Sequence, residues 1–368
     1  MQDMRKILIF RMGQLGDILA CLPAMWVIRE HFRNAYITML CDFNVGKKFV
    51  QASQVLENSG AADSFLSYRK DDSLLGKLLA LPRLLALLLR LRAQRFDTLV
   101  YLVPSIREPL RVKRDILFFR LAGIRDTIAT EGFEPLPQKV EGRTLSAVSQ
   151  ESERLLLRLA KSGIPIPAPG CGRMDLNIKE HEKMFVDQWL KNQPSDGGRR
   201  WLAVGPGSKM PVKIWPAERY VEVVSRLIEE SDLWPVVFGG PEDKTLGEYL
   251  VRQWGRGYVA AGTLNVREAI SAMERCIFYI GNDTGTMHMA VVAGLKCVAI
   301  FSSRDYPGKW YPYGKGHIVL RTQIFCEGCK LVECIKLEKK CILSINADEV
   351  YLACKNFLWS TKKKYEKN

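Results

Sequence analysis

"ILIFRMGQLGDILACLPAMWVIREHF", residues 7–32, is the stretch whose reading decides the fold. Ile7, Leu8, Ile9 and Phe10 make a short apolar run suited to a buried strand. Gly13 and Gly16 lie in the loop that follows, and residues 18–32 read as an apolar helix. Strand, glycine loop and helix in that order commonly make a phosphate site, because free N–H groups and the helix dipole attract anions. Asp17 stands where the helix begins, and its carboxylate would repel a phosphate there. The loop is built like an anion site, yet Asp17 needs a different task.

The same alternation continues along the chain. Strands are expected at 6–10, 35–41 and 98–102, and helices at 18–32, 44–51 and 74–93. "KSGIPIPAPGCG" (161–172) is rich in proline and glycine and leads toward a linker with a polar helix at 179–192. The pattern then restarts. "WLAVGPGS" (201–208), "LWPVVFGGPED" (233–243), "IFYIGNDTG" (277–285) and "KCVAIFSS" (296–303) are strands, the first three ending in glycine loops. Helices are expected at 216–231, 264–276 and 286–295. Such alternation predicts parallel sheets covered on both faces. The expected fold is α/β, with two doubly wound Rossmann-like domains facing across a cleft, where ligands bind beyond the carboxyl ends of the strands. The expected boundaries are 1–175 for the first domain, 176–198 for the linker region, 199–345 for the second domain and 346–368 for a C-terminal helix and basic tail.

With 47% hydrophobic and 26% charged residues among 368, the chain has globular rather than disordered composition. Its net charge of +14 favours an anionic partner, whether nucleic acid, an acidic membrane face or a phosphorylated substrate. A merely solvated basic surface is the plain alternative. No recognisable nucleic-acid module interleaves aromatic and basic residues, so no nucleic acid is expected. Ten scattered cysteines and a first strand close behind Met1 give the expectation of a reducing, cytoplasmic setting. "SLLGKLLALPRLLALLLRLRAQRF" (73–96) is leucine-rich, but Lys77, Pro82, Arg83, Arg90 and Arg92 interrupt it. A spanning helix needs about 20 mostly uncharged residues. The favoured reading is a helix packed on a sheet; the other is a basic apolar helix resting on an anionic bilayer.

In "GNDTGTMHMAVVAGL" (281–295), Gly281 and Gly285 allow tight bends, while Asp283, Thr284 and Thr286 cluster at a helix start with His288 one turn on. Capping alone needs one such residue. The cluster suits a diphosphate held by backbone N–H groups. In "GPGSKMPVKIWPAERY" (205–220), Ser208 opens a turn, and Lys213 is placed to neutralise a leaving phosphate; Lys209 is a lesser candidate and a surface lysine the rival. Glu242 in "FGGPED" (238–243) can accept hydrogen bonds from ribose hydroxyls or simply stabilise its turn. The sequence holds neither G-x-x-x-x-G-K-[ST] nor a D-x-D pair. A departing diphosphate would then be stabilised by helix ends and lysines rather than by a divalent metal. No cofactor is expected. Cys326, Cys329, Cys334 and Cys341 follow C-x2-C-x4-C-x6-C, a candidate thiolate metal cluster, with free loop thiols as the default.

Taken together, these segments resemble the lipopolysaccharide heptosyltransferases, glycosyltransferase family nine. The match rests on "ILIFRMGQLGDILACLPAM", "PVKIWPAERY", "FGGPED", "GNDTGTMHMAVVAGLKCVAIF" and "YPYGKGHIVLRTQIFCEGC". The resemblance implies a GT-B fold and inverting, metal-independent transfer of heptose from ADP-heptose to a lipopolysaccharide core. It implies that Asp17 is the catalytic base. It assigns Ser208, Lys213, Glu242, Asp283, Thr284, Gly285, Thr286 and His288 to the donor. The basic stretch 104–127 supplies Arg107, Arg111, Lys113 and Arg114 as candidates for acceptor phosphates, with a solvated face as the rival. The implied partners are a nucleotide sugar, a glycolipid acceptor and an anionic membrane surface, the last suggesting a peripheral place on the inner face of the inner membrane. Another nucleotide sugar, a protein acceptor, or a noncatalytic nucleotide- or nucleic-acid-binding role stay open as alternatives.

Overall fold

The run Ile7–Phe10 lies in the central strand of a parallel sheet, with Ile7, Leu8 and Ile9 wholly buried because both faces of the sheet are covered. The computed structural model describes residues 4–44, 50–70, 80–140 and 143–365. The chain divides into two units. Unit 1 is Met1–Leu136 with Ser149–Asn177, and unit 2 is Pro137–Val148 with Ile178–Asn368.

In unit 1 the strands are β1 (Lys6–Phe10), β2 (Tyr36–Asn44), β3 (Ser64–Lys70), β4 (Thr98–Tyr101) and β5 (Asp126–Ile128), all parallel and ordered β3-β2-β1-β4-β5. The helices are α1 (Leu15–Ala20), α2 (Leu22–His31), α3 (Ala52–Leu56), α4 (Ala80–Gln94), α5 (Pro109–Leu121) and α6 (Glu151–Lys161). The single helix expected at 18–32 is two. Pro23 falls in the first turn of α2, where its missing N–H is tolerated but where it cannot continue α1. Of the helix expected at 44–51, Asn44 instead ends β2 and 45–49 lie outside the described residues. In the helix expected at 74–93, residues 74–79 likewise lie outside them, and α4 covers the rest. The sequence reading did not anticipate β3 and β5, "SFLSYRK" and "DTI", which are too polar or too short to show as apolar runs.

Unit 2 has β6 (Trp201–Gly205), β7 (Trp234–Val237), β8 (Tyr258–Val259), β9 (Cys276–Asn282), β10 (Cys297–Phe301) and β11 (Ile318–Arg321), parallel in the order β11-β10-β9-β6-β7-β8. Its helices are α7 (Glu180–Lys191), α8 (Ala217–Ser231), α9 (Lys244–Trp254), α10 (Val266–Met273), α11 (Gly285–Val292), α12 (Lys340–Leu343) and α13 (Ala347–Tyr365). Helix α13 packs on α8, with Val350, Tyr351, Cys354 and Leu358 sharing one core with Tyr220, Val224 and Leu227. Helix α7, within the segment read as a linker, is tied to α10 by a buried ion pair between Glu182 and Arg267. The excursion Pro137–Val148 also belongs here: the Leu145 N–H donates to Glu327 Oε1 at 2.5 Å and the Val148 N–H to the Pro307 carbonyl at 2.9 Å.

Each sheet reverses its strand order once, between β1 and β4 in unit 1 and between β6 and β9 in unit 2. At such a reversal the loops beyond the strand ends part and leave a crevice in each unit. The loops after β1 and β4, and those after β6 and β9, with the helix starts they lead into, carry Asp17, Arg107, Ser208, Lys213, Asp283 and Thr284.

Candidate functional site

Asp17 occupies the third position of α1 and folds back onto the loop, accepting the Gln14 N–H at 2.9 Å. This closeness explains Gly13. Its φ is +127°, and a Cβ there would lie 2.4 Å from Asp17 Cγ. The adjacent Gly13 N–H donates to Asp42 Oδ1 at 2.9 Å, so the loop is pinned on two sides. Beneath it lies Arg11, wholly buried just beyond β1. Its Nε donates to the Asp17 carbonyl at 3.1 Å and its Nη1 to the Leu102 carbonyl at 2.8 Å. Nη2 stands 3.5 Å from Asp17 Oδ1, and Nη1 stands 3.6 Å from Glu151 Oε1. Burial alone would push this guanidinium down, but the surrounding Cys21, Asp17 and Glu151 outweigh it and raise it. Glu151, also buried, accepts the Ser105 N–H at 2.9 Å and so joins the loop after β4 to that after β1. Sequence reasoning missed Arg11 and Glu151. An arginine inside the decisive apolar stretch was the available signal.

In unit 2 the loops after β6 and β9 meet through Asn282. Its Nδ2 donates to the Pro206 carbonyl at 2.6 Å, while its Oδ1 accepts the Tyr220 hydroxyl at 3.0 Å and the Trp215 N–H at 3.2 Å. The next residue, Asp283, is buried and pairs with Lys213 Nζ at 2.6 Å; the same Nζ donates to the Asp283 carbonyl at 3.2 Å. Thr284 holds the N-cap position of α11 without a side-chain capping bond, and its hydroxyl lies 2.7 Å from that of Thr286, which in turn lies 3.0 Å from the Tyr279 hydroxyl. Gly285 is the first residue of α11, whose first N–H groups have no partner within the helix. His288 follows one turn later and is buried. Burial pushes its imidazole down to about 4, with Asp283 opposing and Lys213 reinforcing the shift. The ring is therefore neutral at pH 7 and can donate one hydrogen bond without adding charge.

Ser208 uses its hydroxyl to accept the Met210 N–H at 3.1 Å and so shapes the turn before Lys213. The loop after β7 stands close by. A Cβ on Gly207 would come within 1.9 Å of Asp243 Oδ1, so glycine is required for the two loops to touch. Glu242, beside Asp243, is exposed. Seven of the eight residues assigned to the donor thus converge on the reversal between β6 and β9, and Glu242 borders it on the loop after β7.

These loops are those of a known family. Residues 157–340, half of the chain, match the family described as glycosyltransferase family 9 (heptosyltransferase). The chain belongs to glycosyltransferase family 9. The lipopolysaccharide heptosyltransferase 2 of Escherichia coli is 29% identical over 142 residues, spanning 36% of this chain and 39% of that protein. Two solved structures share the fold nearly end to end. A family 9 glycosyltransferase from Veillonella parvula superposes with a TM-score of 0.73 at 22% identity, covering 97% of this chain and 98% of that one. The E. coli ADP-heptose lipopolysaccharide heptosyltransferase II superposes with a TM-score of 0.67 at 19% identity, covering 97% and 99%.

The other candidate residues of this family 9 chain are not gathered in one place. Arg107, in the loop after β4, reaches Asp115 at 2.5 Å, and Asp115 also accepts the Tyr101 hydroxyl at 2.7 Å. Arg111 pairs with Glu108 at 2.9 Å, Arg114 pairs with Asp115 at 2.8 Å, and Lys113 lies exposed on the same outer side of α5. Cys326, Cys329, Cys334 and Cys341 are free thiols; the first three lie in the 322–339 segment before α12 and the fourth within α12. Burial and the neighbouring thiols push Cys326 up. Among the described residues no group of three or more His, Cys, Asp or Glu side chains is arranged to hold a metal ion.

Proposed function

We propose that the chain is a metal-independent, inverting glycosyltransferase that moves heptose from ADP-heptose to a lipopolysaccharide core acceptor. The observation that carries this reading is the placement of Asp17. It sits at the crevice of unit 1, with one carboxylate oxygen on the Gln14 N–H and the other facing the buried Arg11 guanidinium. A carboxylate so oriented is suited to take a proton rather than to hold an anion.

In the proposed reaction Asp17 accepts the proton of the acceptor hydroxyl while that oxygen bonds to the anomeric carbon. The bond from that carbon to the diphosphate breaks on the opposite face, and ADP leaves with the bonding electrons, as in the base half of an inverting glycosidase. Negative charge grows on the diphosphate, and unit 2 supplies groups to meet it. Lys213 exchanges part of its pairing with Asp283 for a phosphate oxygen. The first N–H groups of α11, with the Thr284 and Thr286 hydroxyls, donate to others, and neutral His288 donates one more. Ser208 holds the turn that carries Lys213, Asp283 faces the sugar and Glu242 the ribose. Arg107 is the acceptor candidate closest to the crevice of unit 1, since it lies in the loop between β4 and α5. Family membership and the likeness to heptosyltransferases support the sugar donor.

Calorimetric titration with ADP, UDP and GDP in EDTA tests the reading, followed by following labelled heptose into lipid and protein fractions. ADP preference and label in lipid are expected. Preference for UDP or GDP changes the sugar, label in protein changes the acceptor, and absence of any nucleotide binding removes the reading.

A further inference from the structure

Helices α4 and α5 cover the same face of the unit 1 sheet, and each is apolar on two sides. Inward, Leu87, Leu88 and Leu91 of α4 and Val112, Ile116 and Phe119 of α5 pack on Leu8, Phe10, Leu99 and Tyr101. Outward, Leu81, Leu85 and Leu89 are exposed by 76%, 54% and 58%, one above another at the four-residue spacing of a helix face. Leu110, Leu117 and Leu121 of α5 are exposed by 79%, 59% and 56%. The two outer faces are neighbours, because Arg92 of α4 donates to the Leu121 carbonyl at 3.4 Å. Six protruding leucines on adjacent helices exceed the scattered apolar residues of an ordinary surface.

The charge around them is mainly positive, and the one exposed carboxylate at the start of α5, Glu108, is paired with Arg111. Arg90, Lys113 and Arg120 are exposed among these leucines, and among the described residues no carboxylate pairs with them. Helix α4 contains no acidic residue, and Asp115, the one acidic residue of α5, is turned inward and buried. No helix among the described residues is long and apolar enough to cross a membrane. We propose that this face rests on an anionic phospholipid bilayer. The leucines enter the boundary between headgroups and acyl chains, and the cations reach the lipid phosphates along their apolar stems. Nucleic acid would use the cations and leave the leucines in water. A bilayer uses both. The inference concerns the outer surface of unit 1 and does not depend on the donor assignment.

Co-sedimentation of the full chain with acceptor-free vesicles tests it, comparing phosphatidylglycerol–phosphatidylcholine with phosphatidylcholine alone at low and high salt. Binding to the anionic vesicles, weakened by salt, is expected. Arg90→Gln with Arg120→Gln lowers the partition coefficient by roughly thirtyfold at low salt. Leu85→Gln with Leu89→Gln and Leu117→Gln lowers it at least as far, while ADP titration and melting temperature hold in both variants because all five side chains are exposed. No vesicle binding by the parent chain overturns the inference. So does binding that survives both variants, which places the membrane contact elsewhere. A leucine variant that dissociates a dimer without changing vesicle binding also overturns it, since a second copy then covers the face.

Discussion

Asp17 Oδ1 stands 3.5 Å from Nη2 of Arg11, a guanidinium wholly removed from solvent. An arginine is buried in this way only where partners hold its charge. Arg11 has two carboxylates within 3.6 Å, Asp17 toward the crevice and Glu151 toward the core. The Asp17 side chain is 24% exposed, whereas that of Glu151 is 1% exposed.

Asp17→Asn separates cap from base. The amide oxygen still accepts the Gln14 N–H, so melting temperature changes little. If Asp17 takes the proton, turnover falls by about 10²–10⁴-fold while ADP affinity is unchanged. Steady-state kinetics with calorimetry on the same preparation checks it, and turnover within a few fold of the parent removes Asp17 from the chemistry.

Arg11→Met strands Glu151 in the core. Breaking one side of a buried charge pair costs about 3–5 kcal/mol. Adding Glu151→Gln should restore part of it, since no lone carboxylate then stays in the core, but not all, because the buried Arg158 also relies on the Glu151 charge. Denaturant unfolding of the two single variants and the double tests this. Additive losses would mean that the two side chains are not coupled.

Lys213→Ala and Asp283→Asn should differ in sign for the nucleotide. Removing Lys213 takes away a charged hydrogen bond worth about 1.5–3 kcal/mol and should weaken ADP by roughly tenfold to a hundredfold in EDTA. Asp283→Asn frees Lys213 from its 2.6 Å partner, so ADP should bind as tightly or more tightly while sugar transfer falls. Equal ADP affinity in the parent and Lys213→Ala would show that the lysine serves only its ion pair.

His288 makes stability depend on acid. Burial pushes it down to about 4, below the unfolded value of 6.5. The unfolded chain therefore binds a proton that the folded chain refuses, and stability present above pH 6.5 is lost as pH falls toward 4. The loss from this group reaches on the order of 3 kcal/mol. His288→Gln should flatten melting temperature against pH across that window. His317, also pushed down to about 4 by burial, keeps part of the slope. An unchanged curve would mean that His288 is protonated in the folded chain.

Gly281→Ala tests the close approach of β9 to β6. A Cβ there would lie 2.3 Å from the Tyr279 hydroxyl and 2.5 Å from the Gly205 carbonyl oxygen. The carbonyl cannot swing away, so overpacking of about 1–3 kcal/mol is expected in denaturant unfolding. A neutral substitution would show that the two strands can part at their ends.

The sequence by itself determined the central strands and the cluster of polar residues at the start of α11. Ile7–Phe10, Trp201–Gly205 and Cys276–Asn282 are apolar runs fixed by burial on both faces. Asp283, Thr284, Thr286 and His288 lie within one strand, loop and helix start, so their nearness follows from local geometry. The edge strands β3 and β5 left no such trace, since their pairing comes from neighbours already in the sheet rather than from their own residues. Tertiary structure alone decided the counter-charges: Lys213 meets Asp283, Glu182 meets Arg267, and Arg11 meets Glu151 across most of unit 1. Periodicity and capping act over a few residues. The partner of a buried charge is chosen by strand order, which brings distant loops to one end of a sheet, and by the cost of leaving that charge alone in the core.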